Sequence, residues 1–429
     1  MLIQFTVGNF YSIKDPATIN LSAISPIKEY KESNVFHNDR YQLLKSAVIY
    51  GANASGKSKF LKGIDFMKWF VINSSKSTQK DEKINIECFR LDNESCDKPS
   101  LFELSFLIDK VKYRYGFKLT SQRVVEEWLF NSKKVKEYPL FIRDQDGVEV
   151  TEYFPEGNGL EERTRDNALF LSVNAQFNGA ISGEIIKWFS SLNVISGLED
   201  RRYQDYTSNL LRDPEGKLKM IKFLKAADNS IKDIELKDIE MSEDLVPKHL
   251  PIEIRSLILK SNKAYSLVTY HEAFDKDGKF VNLAAFDFEE AESEGTKKFF
   301  RLAGPILDSL KNGKILVIDE LDARLHPLMT KSLVDIFNSV ESNPKNAQLI
   351  FATHDTNLLS VCNMRRDQIW FAEKTKTNST DLYSLAEYKM KAGKVRNDAS
   401  FERNYLKGRY GAIPFIGDIN SFIHNLWQE

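Results

Sequence analysis

Apolar periodicity in the first third of the chain predicts two short strands and then a strand, loop and helix. Leu2 to Val7 alternates apolar and polar residues, and Thr18 to Leu21 follows as a second short strand. Ser46 to Tyr50 is a continuous apolar run that enters a glycine-containing loop. Lys57 to Ile72 then places apolar residues at helical spacing.

The middle of the chain changes from a strand pattern to a helical pattern. From Ile84 to Phe130, the runs LFELSFLID and KVKYRYGFKL flank a turn at Asp109-Lys110, which predicts an antiparallel meander. Residues 155–262 instead contain stretches with helical spacing. These stretches, SGEIIKWFSSL, GKLKMIKFLKAA and PIEIRSLILK, predict a helical insertion.

The last third alternates helices with buried strands. A hairpin is predicted around Ser266 to Phe288, and ESEGTKKFFRLAGPILDSL then has helical spacing. KILVID, QLIFATH and DQIWFAE are apolar runs typical of buried strands, and a helical segment, HPLMTKSLVDIFNSV, separates the first two. This alternation predicts an α/β fold with a largely parallel sheet covered by helices. We predict an N-terminal lobe at 1–154, a helical insertion at 155–262 and a C-terminal lobe at 263–429.

Composition narrows the class of protein without identifying it. The 429 residues are 42% hydrophobic, and 60 basic residues balance 61 acidic ones, so the net charge of -1 gives no strong attraction to nucleic acid or membrane. The N-terminal pattern reaches Asp15 without the apolar core of a signal peptide, and no apolar run approaches about 20 residues, so we expect a protein that is neither secreted nor membrane-embedded. Cys88, Cys96 and Cys362 match neither a disulfide framework nor a metal-binding pair, so we expect a reducing cytoplasm.

The segment from Gly51 to Ser58, GANASGKS, has the spacing of a phosphate-binding loop between a strand and a helix. Backbone amides in such a loop point towards phosphate oxygens, and the helix N-terminus adds its dipole. Lys57 is expected to bridge the β- and γ-phosphates of ATP, and Ser58 to hold Mg²⁺. The alternative is a chance match in a turn. The nucleotide-binding residues predicted here are Gly51, Asn53, Ala54, Ser55, Gly56, Lys57 and Ser58.

Two adjacent carboxylates, Asp319 and Glu320, end the buried strand ILVID. Ligands of open α/β sheets bind at this end of the strands, and successive side chains point to opposite faces. Asp319 is therefore predicted to complete the Mg²⁺ shell, and Glu320 to activate the attacking water. Taken alone, the pair also fits a plain turn at a strand end.

Two further motifs fit the same chemistry. His354 ends the next buried strand and is a candidate hydrogen-bond donor to the γ-phosphate or to water. A lone histidine at a strand end is more often a satisfied polar residue, but the order of the three motifs favours the catalytic role. The turn Ser293-Glu-Gly295-Thr296 precedes a predicted helix, where its amides could bind a phosphate from outside. An N-cap for a helix beginning near Lys297 is the alternative, and the two do not exclude each other.

Together these motifs resemble the ABC-type ATPase heads of the SMC, RecF and OLD group, in which the phosphate loop is distant in sequence from the Asp-Glu strand. Asn9-Phe10-Tyr11-Ser12 is similar to the NFRS element of that group, with Tyr11 where Arg is usual. The resemblance implies that Ser293, Gly295 and Thr296 replace the signature motif, that Asp322 belongs to the D-loop, and that His354 is the switch histidine. It also implies a homodimer with ATP between two subunits.

A narrower resemblance covers nearly the whole chain. YGANASGKS, ESEGTKKFFRLAG, VIDELDARLHP, FATHDTNLL, RRDQIWFAEK and GRYGAIP look like the RloA-like AAA-domain ATPases of prokaryotic defence and abortive-infection loci. This kinship implies a sensor or regulator that controls a separately encoded effector protein, for which a nuclease is the expectation. Residues 155–262 lack sustained heptads, and about seventy-five residues follow His354, so we expect neither long coiled coils nor a Toprim nuclease.

Two other functions remain open. The C-terminal region is rich in basic and aromatic residues, which favours a RecF-like DNA-binding repair ATPase, while a solvated surface is the simpler interpretation. A nuclease with an unrecognised site in the insertion is the third hypothesis. The basic residues concerned are Lys389, Lys391, Lys394, Arg396, Arg403, Lys407 and Arg409.

Overall fold

The computed structural model describes residues 1–77, 79–239, 251, 252, 255, 264–390, 393, 394 and 400–414, in two units. The first unit comprises Met1–Ser196, Ser309–Ala323 and Thr330–Glu429. The second comprises Gly197–Asp308 and Arg324–Met329. The units do not divide at residues 154 and 262, and the division into three domains stays a prediction.

A seven-stranded antiparallel sheet in the first unit has the order β10-β9-β8-β7-β6-β1-β2. The predicted meander is confirmed, since β6 pairs with β7 and β7 with β8, and Asp109 makes the first turn with a left-handed φ of 52°. The strands are β1 (Leu2–Gly8), β2 (Ala17–Asn20), β6 (Ser100–Ile108), β7 (Val111–Leu119), β8 (Val124–Ser132), β9 (Tyr138–Asp144) and β10 (Gly147–Val150). Its buried aromatic residues, such as Phe102 and Phe117, pack against one another at a ring distance of 5.4 Å.

A six-stranded sheet in the same unit has the order β11-β15-β16-β5-β17-β18. Its strands are β5 (Ser46–Tyr50), β11 (Asn193–Ser196), β15 (Ile315–Asp319), β16 (Gln348–Ala352), β17 (Ile369–Lys374) and β18 (Thr380–Ser384). Neighbouring strands are parallel except for β17 and β18. Every residue of β5 and β16 is buried, as expected for strands covered on both faces. The predicted α/β fold with a largely parallel sheet is therefore confirmed.

Two-stranded hairpins and helices complete the first unit. The hairpins join β3 (Val35–Asn38) to β4 (Tyr41–Leu44) and β19 (Lys389–Met390) to β20 (Gly393–Lys394). The helices are α1 (Lys31–Asn34), α2 (Lys57–Asn73), α3 (Phe170–Gln176), α4 (Ala180–Ser191), α10 (Leu358–Val361) and α11 (Phe401–Leu406). The helix α2 buries one apolar face, which includes Phe60, Ile64 and Phe70, as its sequence spacing predicts.

The second unit contains a three-stranded antiparallel sheet with the order β12-β13-β14. Its strands are β12 (Ile231–Ile239), β13 (Ala264–Phe274) and β14 (Phe280–Asp287), and its helices include α5 (Gln204–Leu210), α6 (Pro214–Ala227) and α7 (Phe288–Ala291). Two longer helices, α8 (Glu294–Asn312) and α9 (Pro327–Asn338), each belong to both units. The fully buried Arg301 of α8 pairs with Glu289 at 2.9 Å.

Residues 155–262 contain two of the three predicted helices, α4 and α6, and also two strands that the sequence analysis did not predict. The strand β11 has only four residues, and β12 is interrupted by charges, so neither gives a clear strand pattern. The predicted helical segment PIEIRSLILK at 251–260 lies largely outside the described residues.

The expectation for the cysteines was wrong in one respect. Cys88 and Cys96 form a disulfide, and Cys362 is free and buried. The bond closes a loop of irregular backbone that folds back on itself, which the spacing of the two cysteines does not reveal. Across the described residues, no helix is long and apolar enough to cross a membrane.

Candidate functional site

The phosphate loop, Gly51–Ser58, leaves the C-terminal end of β5 and enters α2 at Gly56. Gly56 has a φ of 107° and Ala54 a φ of 60°, so the loop turns through backbone conformations that most residues avoid. The Lys57 Nζ donates hydrogen bonds to the carbonyl oxygens of Gly51 at 2.7 Å and Ala52 at 3.1 Å. The lysine is 5% exposed, so its ammonium is held inside the loop.

Thr380 at the start of β18 holds this loop in place, and the sequence analysis missed it. Its hydroxyl donates to the carbonyl oxygen of Ser55 at 2.8 Å and lies 2.8 Å from the Ser12 hydroxyl. The Thr380 amide also donates to the Ser12 carbonyl oxygen at 2.7 Å. Thr380 belongs to no sequence motif. Its partner Ser12 lies in the NFYS element, which is the one sequence feature that pointed to this contact.

Asp319 and Glu320 lie at the C-terminal end of β15, on the same edge of the sheet as the phosphate loop. Glu320 has a φ of 55°, a left-handed conformation that is costly for a residue other than glycine. The chain therefore turns sharply between the two carboxylates, and the Leu321 amide donates to the Ala352 carbonyl oxygen of β16. Such strain at a strand end is typical of functional sites.

His354 follows β16 and is fixed by Asp322. The His354 amide donates to both carboxylate oxygens of Asp322 at 3.3 Å, so the two predicted site residues are in direct contact. The His354 side chain is exposed, where it can reach a ligand. The Asp322 carboxylate thus positions the turn that carries the histidine.

A cavity of about 750 Å³ brings most of the predicted residues together. It is lined by residues 53–59 together with Ser12, Glu320 and His354. Burial lowers the pKa of the Lys57 ammonium, while the negative charges of Asp319, Glu320 and Asp322 oppose that change. A buried ammonium near three carboxylates is suited to a ligand that carries both phosphates and a metal ion.

The donor set fits Mg²⁺. Within the part of the chain that the structure describes, Asp319 Oδ1 is buried and accepts no hydrogen bond, which leaves an oxygen available to a hydrated cation. Ser58, at the start of α2, is exposed. Mg²⁺ is usually held by one or two carboxylates together with substrate phosphates and water, and these two residues supply that kind of site.

The predicted signature turn, Ser293–Thr296, lies in the second unit at the N-terminus of α8. The Ser293 hydroxyl accepts a hydrogen bond from the Thr296 amide at 3.1 Å, so the N-cap interpretation is confirmed, with the helix beginning at Glu294. Ser293 is exposed. A Cβ on Gly295 would lie 3.0 Å from the Arg324 carbonyl oxygen, so glycine permits this close approach of two backbones.

Glu292 anchors the signature turn to the three-stranded sheet. Its Oε1 accepts a hydrogen bond from the Thr269 hydroxyl at 2.6 Å and lies 2.8 Å from the Nε2 of His271. Both partners belong to β13, and Glu292 is 9% exposed. The buried carboxylate therefore fixes the chain immediately before Ser293.

Tyr11 contributes a ring beside the cavity. The Lys62 Nζ donates to the Tyr11 hydroxyl at 2.8 Å, and the Lys59 Nζ lies 4.4 Å from the ring centroid. Lys59 also lines the cavity, so the ring holds two cations next to the phosphate loop.

The predicted basic C-terminal region is described only in part. Lys391 and Arg396 lie outside the described residues, while Arg403, Lys407 and Arg409 lie in or just after α11. The side chain of Tyr405 in α11 stacks on Phe371 at 5.2 Å, which attaches this segment to the six-stranded sheet.

Residues 46–360 match the model of a family described as "AAA domain, putative AbiEii toxin, Type IV TA system". Two solved structures, titled "Structure of the recombination mediator protein RecF-ATPrS in RecFOR pathway" and "Structure of the recombination mediator protein RecF-ATP in RecFOR pathway", are distantly similar. The first is 12% identical with a TM-score of 0.32 and covers 89% of this chain and 98% of its own. The second is 14% identical with a TM-score of 0.32 and covers 89% and 97%. No curated protein matches the chain.

Proposed function

Because the chain belongs to this AAA-domain family, whose model spans residues 46–360, we propose that it is the regulatory ATPase of a prokaryotic antiviral defence system. It is an ATPase of the AAA/ABC type. The proposal adds that its hydrolysis requires Mg²⁺, that ATP links two copies of the chain, and that the nucleotide state controls a separately encoded effector.

One observation carries the enzymatic part of the proposal. Lys57, Asp319, Glu320 and His354 come from three separate stretches of sequence, and parallel strands deliver them to one edge of one sheet. Three of these residues and their neighbours border a cavity of about 750 Å³, which is large enough for a nucleotide. A chance match in the phosphate loop would not bring the other motifs to the same edge.

Each residue then has a role that its position supports. The Lys57 ammonium, released from the Gly51 and Ala52 carbonyl oxygens, pairs with the β- and γ-phosphates. The Glu320 carboxylate orients the attacking water and accepts its proton, and His354 donates a hydrogen bond to the transferring phosphate. Mg²⁺, held through Ser58 and Asp319, would neutralise charge on the phosphate oxygens.

The signature turn supports the dimer part of the proposal. Ser293 is exposed, and its hydroxyl accepts a hydrogen bond from the Thr296 amide. The hydrogen bond from Thr269 to Glu292 fixes the residue that precedes the turn. An exposed helix N-terminus with a fixed backbone is suited to a phosphate that arrives from another subunit. We propose that this phosphate is the γ-phosphate of ATP bound to a second copy of the chain.

The regulatory part rests on the family alone. The family description names a toxin and a toxin–antitoxin system, in which two components act against each other. We propose that the effector is a nuclease held or released according to the nucleotide state, in the cytoplasm. Direct contact with nucleic acid would be a second mode of action, as in the RecF-like alternative.

The test is a pull-down of the tagged protein from its native host, comparing wild type with Lys57→Ala and Glu320→Gln. Lys57→Ala should not bind ATP, and Glu320→Gln should bind ATP without hydrolysing it. An effector retained by one variant and lost from the other supports the proposal. Surface variants with the same chemical changes, Lys76→Ala and Glu341→Gln, serve as matched controls, because both residues are exposed.

The outcomes separate the hypotheses. Retention of nucleic acid without a protein partner would favour the repair ATPase. If wild type and both variants retain the same proteins in equal amounts, the nucleotide state does not control the effector. Unchanged ATP binding by Lys57→Ala would contradict the assignment of the site itself.

A further inference from the structure

The strand β14 exposes an apolar sequence to solvent along its whole length. Seven of its eight residues are exposed, and the eighth, Ala284, is partly buried. The exposed fractions are large for apolar side chains: 58% for Phe280, 58% for Val281, 45% for Leu283 and 44% for Phe286. Several large apolar side chains exposed on one strand indicate a candidate interaction site.

This strand is also at the edge of its sheet. On one side β14 pairs with β13, from Val268↔Asp287 to Phe274↔Phe280. Among the residues that the structure describes, no strand pairs with its other side. Native edge strands are usually protected by lysine, proline or a bulge. The pairing of β14 with β13 shifts register once, between Phe280 and Asn282, but residues 280–286, FVNLAAF, contain no charge and no proline. The sequence is that of a strand that accepts a partner strand.

We propose that β14 pairs with β14 of a second copy of this chain, antiparallel and centred on Leu283. Lys279 and Asp287 bracket the apolar sequence at equal distances from Leu283. In this register each Lys279 faces the partner copy's Asp287, and each Phe280 faces the partner copy's Phe286. Opposite charges and aromatic pairs directly across two strands both stabilise antiparallel pairing.

The charges at the two ends of β14 indicate that its partner strand is β14 of a second copy of the chain. A strand that is apolar in the middle, basic at one end and acidic at the other is complementary to itself when reversed. Asp287 keeps its local role, since its Oδ1 accepts hydrogen bonds from the Glu289 and Glu290 amides. A carboxylate can accept further bonds, so the cap and the ion pair are compatible. A shift by two residues would take Lys279 away from Asp287 and bring unequal side chains opposite each other.

This interface differs from the proposed ATP-linked dimer. The strand β14 contains none of the nucleotide-site residues, so the pairing should form without nucleotide. Pairing through a strand edge is a known mode of protein association, in which main-chain hydrogen bonds give affinity and side chains give specificity. The chain would then have two separate ways to self-associate.

Cysteine cross-linking of nucleotide-free protein tests the register. Leu283→Cys places two thiols directly opposite each other, where the Cα separation of an antiparallel pair suits a disulfide, so an oxidant should give a covalent dimer. In Val281→Cys the two thiols would be about 14 Å apart along the strands and should not cross-link. Wild type under the same oxidant controls for Cys88, Cys96 and Cys362. Equal cross-linking of both variants, or of neither, would overturn the proposed register.

Sedimentation of the nucleotide-free chain tests the surface itself. Leu283→Lys places two positive charges opposite each other at the centre, which should weaken self-association about tenfold or more. The control is Leu218→Lys, because Leu218 is 54% exposed in the same unit but lies on α6. A monomeric wild type, or equal association of the two variants, would rule out the interface. Either result leaves the ATPase proposal untouched, since that proposal is tested by nucleotide binding and hydrolysis.

Discussion

The six-stranded sheet of the first unit and the three-stranded sheet of the second use similar apolar sequences in opposite ways. In β5 and β16 every residue is buried, so polar chemistry occurs only where the strands end. In β14 almost every residue is exposed, so the strand itself is the available surface. A covered sheet positions catalytic groups at its edge, whereas an uncovered edge strand offers a place for another chain.

The difference extends to how each region handles charge. At the end of β15, the negative charges of Asp319 and Glu320 oppose the lowering of the Lys57 pKa by burial. At β14, Lys279 and Asp287 lie at opposite ends of the strand and are exposed. Substitutions made in parallel in the two regions therefore test whether the contrast is real.

The largest expected contrast is between two glutamates. Glu320→Gln should lower the rate of ATP hydrolysis by about 100-fold or more, because it removes the proposed general base. Glu290→Gln, at an exposed position in α7, should leave the rate unchanged. Phosphate release measured at saturating ATP and Mg²⁺ gives both values. Hydrolysis at the wild-type rate by Glu320→Gln would show that another group activates the water.

Two substitutions by alanine compare how much a side chain in each sheet contributes to the free energy of unfolding. Ile350 at the centre of β16 is fully buried, so Ile350→Ala should lower the free energy of unfolding by about 2–5 kcal/mol. Leu283→Ala, in β14, should change that free energy by no more than about 0.5 kcal/mol in dissociated protein. Urea denaturation at low protein concentration measures both. A large loss for Leu283→Ala would mean that its side chain packs within the subunit.

The sequence predicted the buried sheet better than the exposed one, for a physical reason. Runs such as SAVIY and QLIFA are too apolar to lie anywhere except between two layers, and the glycine, lysine and carboxylates that follow them are chemically specific. The periodicity of β14 also predicted a hairpin strand. It did not show that the strand is exposed to solvent, because exposure depends on which other elements pack against the strand.

Long-range contacts account for most of what sequence reasoning missed. Thr380 supports the phosphate loop from a strand 325 residues away from Ser55, with no motif to mark it. The disulfide between Cys88 and Cys96 depends on how an irregular loop folds. The four residues of β11 became a strand only because β15 offers an edge for pairing. Each of these features is set by tertiary structure rather than by local propensity.

Two glycines with positive φ extend the comparison to the backbone. Gly56→Ala would put a Cβ 2.0 Å from the Thr380 hydroxyl, which is held by hydrogen bonds, and should weaken ATP binding about tenfold or more. Gly278→Ala, in the turn before β14, meets nothing within 4 Å. Its cost should be the backbone cost alone, about 1–2 kcal/mol of stability. Nucleotide titration and thermal unfolding of both variants distinguish the two effects, and equal ATP affinity in both would contradict the role of Thr380.

The smallest expected effect is a pH dependence that arises from Lys57. Burial lowers the pKa of its ammonium in the folded chain, so the folded chain binds fewer protons than the unfolded chain between that lowered pKa and the ordinary lysine value of 10.5. The stability of wild type should therefore rise with pH in this alkaline window, and Lys57→Met should lose that part of the slope. The matched control is Lys76→Met, at an exposed lysine beyond the end of α2. Urea denaturation from neutral pH into this window measures the slopes; identical slopes for wild type and Lys57→Met would contradict a lowered pKa of Lys57 in the folded chain.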